Sequence, residues 1–371
     1  GTTVITGPNG AGKTTVLEAI AYLGTQRSFR GAPREMMIRT GCVRAVLRAE
    51  LARENLPVLV EAEIVASGRS RAQVNRQAAR SRRDMAEAVP VTIFCPDDLG
   101  IVQGGPGRRR DLLDDALRLI DGRAAALLDD VERIIRQRGA LLRQAGGRIT
   151  PEVTATLQVW DDRLATAGDA LAESRESLVA SLRPYVIASY AALAGIGDGE
   201  PELGRSGAIG STTHLVGTAY RRTWEGNLAE ALAESRPDDL RRATTTVGPH
   251  RDDLVLRIAG RDARLQASQG EQRCLALALR LGVHRLVTEH SRTAPILLLD
   301  DVFSELDPSR SRALVNELPA GQTLLTTACA LPEGVSVAAS VEVGELTTRE
   351  KASGGEGFVN AGGAGPAGGG K

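Results

Sequence analysis

Eight residues near the start of the chain, Gly7-Pro8-Asn9-Gly10-Ala11-Gly12-Lys13-Thr14, carry the spacing G-x-x-x-x-G-K-[ST]. That spacing is suited to binding a polyphosphate. Glycines let backbone N–H groups close on phosphate oxygens, a lysine reaches the β and γ phosphates, and a hydroxyl reaches a metal ion. Thr15 extends the expected set of nucleotide contacts. Lysine usage points the same way: Lys+Arg is 46, yet lysine occurs only at Lys13, Lys351 and Lys371. A chain that otherwise uses arginine places its one internal lysine where a compact ammonium suits a phosphate. A chance glycine turn ahead of a helix is the competing reading.

A nucleotide loop needs a metal site. Ile296-Leu297-Leu298-Leu299 reads as a buried strand that delivers Asp300 at its carboxyl end, where it can hold Mg²⁺ with the hydroxyl of Thr14. Asp301 is placed to orient or deprotonate the attacking water, so Asp300, Asp301 and Lys13 form the expected catalytic group. Paired acids also end ordinary solvated strands. Upstream, Ser268-Gln269-Gly270-Glu271-Gln272 opens a long apolar helix and offers an anion site at a helix N-terminus. The same residues fit a plain capping box, with Ser268 and Glu271 at i and i+3. Ser304-Glu305-Leu306-Asp307 follows the acidic pair.

The elements that must position these groups read as α/β. A short apolar strand, TTVIT, precedes the glycine loop and a helical pattern follows it. Alternation over 43–66 predicts strands with a turn near Glu54-Asn55-Leu56-Pro57, and 89–95 predicts a buried strand. After Gly104-Gly105-Pro106-Gly107 the pattern becomes helical as far as Gly146-Gly147. A second long helix spans 152–193 and a third spans 225–242. Helices of about 40 residues would make an antiparallel arm about 60 Å long. Trp160 is expected in its core. Strands resume at 244–247, a hairpin pairs 254–258 with 263–265, and a last strand covers 323–327. The predicted domains are thus a head from 1–104 and 244–343, a helical insertion over 105–243, and a disordered tail over 344–371. The first strand opens the chain without the neighbours a sheet usually has, so an N-terminal truncation is expected.

Composition narrows the function. Net charge is +0, so nucleic-acid binding must come from local patches. Arg69, Arg71, Arg76, Arg80, Arg82 and Arg83 form one such patch and Arg108, Arg109 and Arg110 another. They read either as a solvated edge or as contacts to a DNA or RNA backbone. Aromatic residues are absent there, which argues against base stacking. Cys42, Cys95, Cys274 and Cys329 form no C-x-x-C pair, which fits reduced thiols in a cytoplasm. No run of about 18 apolar residues and no leader pattern occurs, so neither a membrane span nor a secretory signal is expected.

The ordered motifs resemble the ABC-type ATPases, in which the Ser268–Gln272 signature would cap the γ-phosphate held by a partner and Ser304–Asp307 would be the D-loop. Within them the chain resembles the RecF family of bacterial recombination-repair ATPases. The match rests on the glycine loop with Glu18-Ala19-Ile20, Arg27-Ser28-Phe29-Arg30, Pro96-Asp97-Asp98-Leu99, and Pro106 with Arg108-Arg109-Arg110 and Leu113-Asp114. Gly248-Pro249-His250-Arg251-Asp252-Asp253, Ser268 to Arg273 and Leu299 to Asp307 complete it. Thr326-Thr327 stands where transporter heads have a histidine. The resemblance implies an ABC-type head with a compact helical insertion and an ATP- and Mg²⁺-dependent homodimer. It implies slow, DNA-stimulated hydrolysis and binding of gapped, single- or double-stranded DNA. RecR, RecO and RecA are the implied partners, at replication gaps and in the SOS response. An ATPase subunit whose helical arm docks a protein in place of DNA is the alternative. His250, Arg251, Asp252 and Asp253 have no role derivable from the sequence.

Overall fold

A computed structural model describes residues 1–53, 56–148, 150–196, 215–291, 294–328 and 330–343. The tail expected over 344–371, the turn residues Glu54 and Asn55, and Cys329 lie outside the described residues. In chain order, β1 (Thr2–Thr6) leads through the glycine loop into α1 (Lys13–Thr25). Four strands follow, β2 (Arg44–Arg53), β3 (Leu56–Val65), β4 (Arg71–Val74) and β5 (Gln77–Ala78), then α2 (Arg82–Ala88) and β6 (Val91–Phe94). Next come α3 (Leu99–Gln103), α4 (Pro106–Ile120), α5 (Gly122–Ala145) and α6 (Pro151–Leu193). The chain continues with β7 (Val216–Arg221), α7 (Leu228–Arg242), β8 (Asp253–Ile258), β9 (Arg261–Asp262), α8 (Ala263–Gln266) and α9 (Gln269–His290). Last are β10 (Ile296–Asp300), α10 (Pro308–Glu317), β11 (Thr323–Thr326) and β12 (Val337–Glu342).

Strands of the two ends interleave. The main sheet has the order β12-β1-β11-β10-β6 with every pair parallel. Side chains alternate across its faces, as the period of two requires. Val4, Leu297, Leu299 and Leu325 join the core beneath α6 and α9. Ile5, Leu298, Val91 and Ile93 join the core beneath α1, α2 and β3. The runs of apolar residues in β6 and β10 therefore reflect burial on both faces. Each fully buried leucine, such as Leu17 and Leu298, contributes about 1.5–3 kcal/mol. The parallel strands and the antiparallel ones fall into separate sheets, β2-β3-β4-β5 and β7-β8-β9 forming the other two.

Several local expectations are corrected. The helical tract after Gly104 is divided at Asp121, whose carboxylate accepts from the N–H groups of Arg123 and Ala124 and starts α5. The tract over 105–243 also contains β7, which pairs with β8, so this stretch is not wholly helical. Residues 263–265 belong to the short α8, capped by Asp262, and only Arg261 and Asp262 pair back on β8. Residues 244–247 form no strand. The third helix starts at Leu228, where Asn227 caps it, rather than at 225. The pattern did not reveal β12, whose residues are mostly exposed.

The longest element, α6, has 43 residues, about 65 Å at the helical rise. It lies along α9, and Gly282 sets the spacing: a Cβ there would stand 3.0 Å from a methyl of Val186 and 3.2 Å from one of Leu182. Trp160 is half-buried against this core, as expected. Among the described residues no helix is long and apolar enough to cross a membrane.

At one end of the helical layer Arg138, 0 % exposed, joins three helices. It donates to Asp161 at 2.7 Å and to Thr245 at 2.9 Å, and pairs with Asp239 at 2.7 Å. Arg236 meets the other oxygen of Asp161 at 2.7 Å. Removing the central cation leaves the buried Asp239 without its cationic partner and Asp161 with Arg236 alone. Arg138→Met is expected to destabilise the protein by about 3–5 kcal/mol, read as a lowered urea midpoint. A shift below about 1 kcal/mol, the range of exposed pairs, would contradict this account.

Candidate nucleotide site

The glycine loop sits at the carboxyl end of β1, at the crest where α1 begins. Gly10 and Gly12 have φ of 81° and 99°, a region that L side chains rarely adopt. A Cβ at either would meet nothing within 4 Å, so the space above the loop is open. Gly12 is the N-cap of α1 and provides no side-chain cap, and the first turn holds no acid. The N–H groups there are free for an anion, and the helix dipole favours one. Lys13 is buried and its ammonium donates to the carbonyls of Gly7 and Pro8 at 2.8 and 3.1 Å. Pro8, Asn9, Gly10 and Thr15 are exposed, and Gly7, Ala11 and Thr14 are half-buried.

Sheet register brings Asp300 and Thr326 to this loop. Asp300 pairs with Thr326 in register, and Ile5 pairs with the same Thr326. The buried Asp300 carboxylate accepts from the Thr14 hydroxyl at 2.9 Å and from the Thr326 hydroxyl at 2.7 Å. One carboxylate and one hydroxyl beside a phosphate cradle is a hard-oxygen set that fits Mg²⁺ completed by phosphate oxygens and water. Asp301 adopts φ 47° and turns the chain out of β10. Its N–H donates to the Thr326 carbonyl at 3.1 Å, and its carboxylate accepts from the Ala328 N–H at 3.3 Å. It borders a recess of about 40 Å³ with Cys95, Pro96, Arg273 and Leu306, enough for a few waters.

Ser268 to Gln272 lie elsewhere. α9 packs on the face of the sheet opposite α1. Its N-terminus forms a complete capping box: the Glu271 carboxylate accepts from the Ser268 N–H and hydroxyl, each at 2.7 Å. Gln269 is exposed, whereas Gln272 is buried and donates to the Ala263 carbonyl at 2.9 Å. In the segment after β10, Ser304, Glu305 and Asp307 are exposed and Leu306 is half-buried. Arg273 reaches the Glu305 carbonyl at 3.1 Å, and Asp307 caps α10 through Ser309 and Arg310.

The Gly248–Asp253 loop acquires a structural role. The Pro249 carbonyl accepts from Arg175 at 2.7 Å, and Arg251 donates to the Thr245 carbonyl at 3.1 Å. Asp252 accepts from Tyr220 at 2.6 Å and from the Thr223 N–H at 2.8 Å. Asp253 forms a fork with Arg109 at 2.7 and 3.1 Å. Together these bonds fasten α4, α6 and β7 to the loop. Burial holds the Asp252 carboxyl above the usual range, opposed by its bonds to Tyr220 and Thr223.

The arginines divide. Arg109, expected at a nucleic-acid backbone, is instead buried against Asp253, because an unpaired guanidinium inside the fold would be too costly. Arg110 is half-buried and donates to the Asp252 carbonyl at 2.6 Å. Arg69, Arg71, Arg76, Arg80, Arg82, Arg83 and Arg108 are exposed. Arg83 pairs with Glu87 at 2.6 Å, and Arg82 lies 3.7 Å from Glu132. Arg82 and Arg108, from the two separate patches, line one cleft of about 570 Å³ together with Arg27 and Arg34. Arg27 bonds Asp111 at 3.1 Å and also Asp115, and Asp97 and Asp98 line the same cleft. No sequence signal marks Arg27 or Arg34 as neighbours of Arg82, since the fold alone joins them.

This arrangement, a glycine loop and helix on one face of a parallel sheet with Asp300 beside the loop and a capped helix on the other face, defines a P-loop ATPase head of the ABC type. The family model of the RecF/RecN/SMC N terminal domain matches residues 1–328. "DNA replication and repair protein RecF" of Beutenbergia cavernae is 39% identical over 88% of this chain and 88% of its own. RecF of Kineococcus radiotolerans is 39% identical over 91% of this chain and 89% of its own. The solved structure of the recombination mediator protein RecF-ATP in the RecFOR pathway superposes with a TM-score of 0.78. It is 26% identical and covers 92% of this chain and 89% of that one. The chain belongs to the RecF family of DNA replication and repair proteins.

Two histidines give the fold a pH signature. Burial lowers His250 to about 4; its Nε2 bonds the Thr245 carbonyl while its Nδ1 is buried without a partner. Burial lowers His284 to about 4 as well, its Nδ1 facing the Thr92 hydroxyl. Below the ordinary value of 6.5 the unfolded chain takes up protons that the folded rings refuse. Stability is therefore full above that value and falls with decreasing pH down to about 4. Each ring contributes a slope of about 1.4 kcal/mol per pH unit. Urea midpoints recorded from neutral pH downward should show this decline, and a flat profile would exclude neutral buried rings.

Proposed function

We propose that the protein is an ATP- and Mg²⁺-dependent, DNA-binding dimer that hydrolyses ATP slowly and acts in recombinational repair at replication gaps. The observation that carries the reading is the meeting of Thr14 and Asp300 at the uncapped start of α1. Gly7 to Thr15 hold the triphosphate, and Lys13 leaves the loop carbonyls for the β and γ phosphates. Thr14 and Asp300 hold Mg²⁺, with Thr326 fixing the carboxylate. An ion held by Thr14 and Asp300 would supply neutralisation of the charge on the phosphate oxygens. Asp301 orients the attacking water and accepts its proton.

Ser268 and Gly270 of a second copy cap the γ-phosphate, because the signature lies across the sheet from its own loop. ATP then joins two heads. The exposed arginines, Arg69, Arg71, Arg76, Arg80, Arg82, Arg83 and Arg108, hold the DNA backbone, and the cleft shared by Arg82 and Arg108 is the centre of that surface. The RecFOR pathway to which the solved RecF structures belong supports RecR and RecO as partners, with RecA loading as the outcome.

Molar mass by light scattering tests the dimer. With ATP and Mg²⁺ the protein should shift from monomer to dimer, and Ser268→Arg should stay monomeric while its own ATP binding persists. Normal dimerisation of that variant would remove the shared site. DNA binding should weaken steeply with salt, and Arg82→Gln with Arg108→Gln should reduce the log–log slope by about 1.8, 0.9 for each lost phosphate contact. A slope unchanged by both substitutions would place the DNA elsewhere.

A further inference from the structure

Two arginines cross between the start of α9 and the segment after β10. Arg273, on α9, pairs with Glu305 at 3.0 Å. Arg310, in the first turn of α10, pairs with Asp307 at 3.3 Å and reaches back over Gly270. A Cβ at residue 270 would stand 2.6 Å from Nη1, 3.0 Å from Nη2 and 3.2 Å from Cζ of Arg310. Gly270 lies within a helix and has no positive φ. Backbone geometry would accept a side chain there, and one would have to displace the overlying guanidinium of Arg310.

The surroundings favour an anion at that guanidinium. As the first residues of α9, Gln269 and Gly270 have amides without intrahelical acceptors. Arg310 is held by a single carboxylate, and the two side chains are 33% and 45% exposed. Such a pair is weak. An arginine fork binds a phosphate in two-pronged fashion and more strongly.

We propose that Arg310 is a γ-phosphate ligand that acts in trans, on the nucleotide bound by a second copy of this chain. The proposal rests on the shared-site reading given above. Without nucleotide, Asp307 parks the guanidinium over Gly270. When the partner's triphosphate arrives at Ser268 and Gly270, Arg310 exchanges the carboxylate for the terminal phosphate. A diphosphate lacks that group, so Arg310 returns to Asp307 and the heads separate. Arg310 thereby makes the dimer sensitive to ATP over ADP.

Four variants test this: Arg310→Gln, Arg310→Lys, Ser268→Ala and Lys13→Ala. Arg310→Gln should bind MgATP as a monomer with unchanged affinity, fail to dimerise, and hydrolyse about 100-fold more slowly, the scale of losing one preorganised donor to a transition state. Arg310→Lys, which keeps the charge, should dimerise with ATP. A packing role would be met as well by glutamine, so a glutamine variant equal to the lysine variant overturns the proposal. Mixing Arg310→Gln with Lys13→Ala should restore hydrolysis at one site, since the second subunit brings an intact Arg310 to the nucleotide held by the first. The mixture of Ser268→Ala with Lys13→Ala is the control for a shared site. If the control recovers and the Arg310 mixture does not, Arg310 does not act in trans and the shared site stands. If neither recovers, the shared site falls and the proposal falls with it.

Discussion

The hydrogen bond between Thr14 and Asp300 joins residues 286 positions apart, and the nucleotide site depends on it. It forms only because β1 lies beside β11, and β11 beside β10, with their carboxyl ends level. Thr326 completes the alignment by bonding the same carboxylate from the intervening strand. A shift of one residue in any of these strands would turn Leu299 or Asp301 towards Thr14 and exchange the two cores. The apolar residues on both faces of the sheet therefore set the position of the carboxylate. Packing fixes the register, and register fixes the chemistry.

Around that sheet the protein uses buried ion pairs to attach the helical layer. Arg109 with Asp253, Arg175 with Asp114 and Arg138 with Asp161 and Asp239 all lie in or beside the core. Charges taken from water require good geometry and full partnering. These pairs are mostly met by further bonds to carbonyls or hydroxyls, as where Arg109 also donates to the Ile101 carbonyl at 3.1 Å. Two of these arginines, Arg109 and Arg175, reach the Gly248–Asp253 loop. Its acids and carbonyls hold α4, α6 and β7 in one arrangement, which links the helical layer to the strand β8 that begins at Asp253.

Local motifs were legible because their chemistry is set by spacing. The glycine loop, the strand ending in Asp300 and the capping residues at Ser268 act through neighbours close in sequence, and the α/β head followed from the same alternation and helical periods. What the sequence did not disclose depends on distant partners. Arg109 sits between two other arginines on paper, yet its partner Asp253 is 144 residues away, so pattern alone could not separate it from Arg108. Asp252 met the same limit, because Thr223 and Tyr220 arrive from β7 and the turn after it. Asp121 hid as an ordinary surface acid within a continuous apolar period. β12 was invisible for a different reason: an edge strand with few buried residues leaves no alternation to read.

The position of β1 has a consequence for how the chain is made. It precedes the other described strands along the chain, yet its neighbours β11 and β12 come from 323–326 and 337–342. Pairings of such long range form late, since the loop between them must be closed before any contact rewards it. The helices α4, α5 and α6 are consecutive and pack on one another, so local contacts let them assemble while the chain is still growing. The glycine loop, although translated before α4, α5 and α6, is thus among the last segments to meet its partner Asp300.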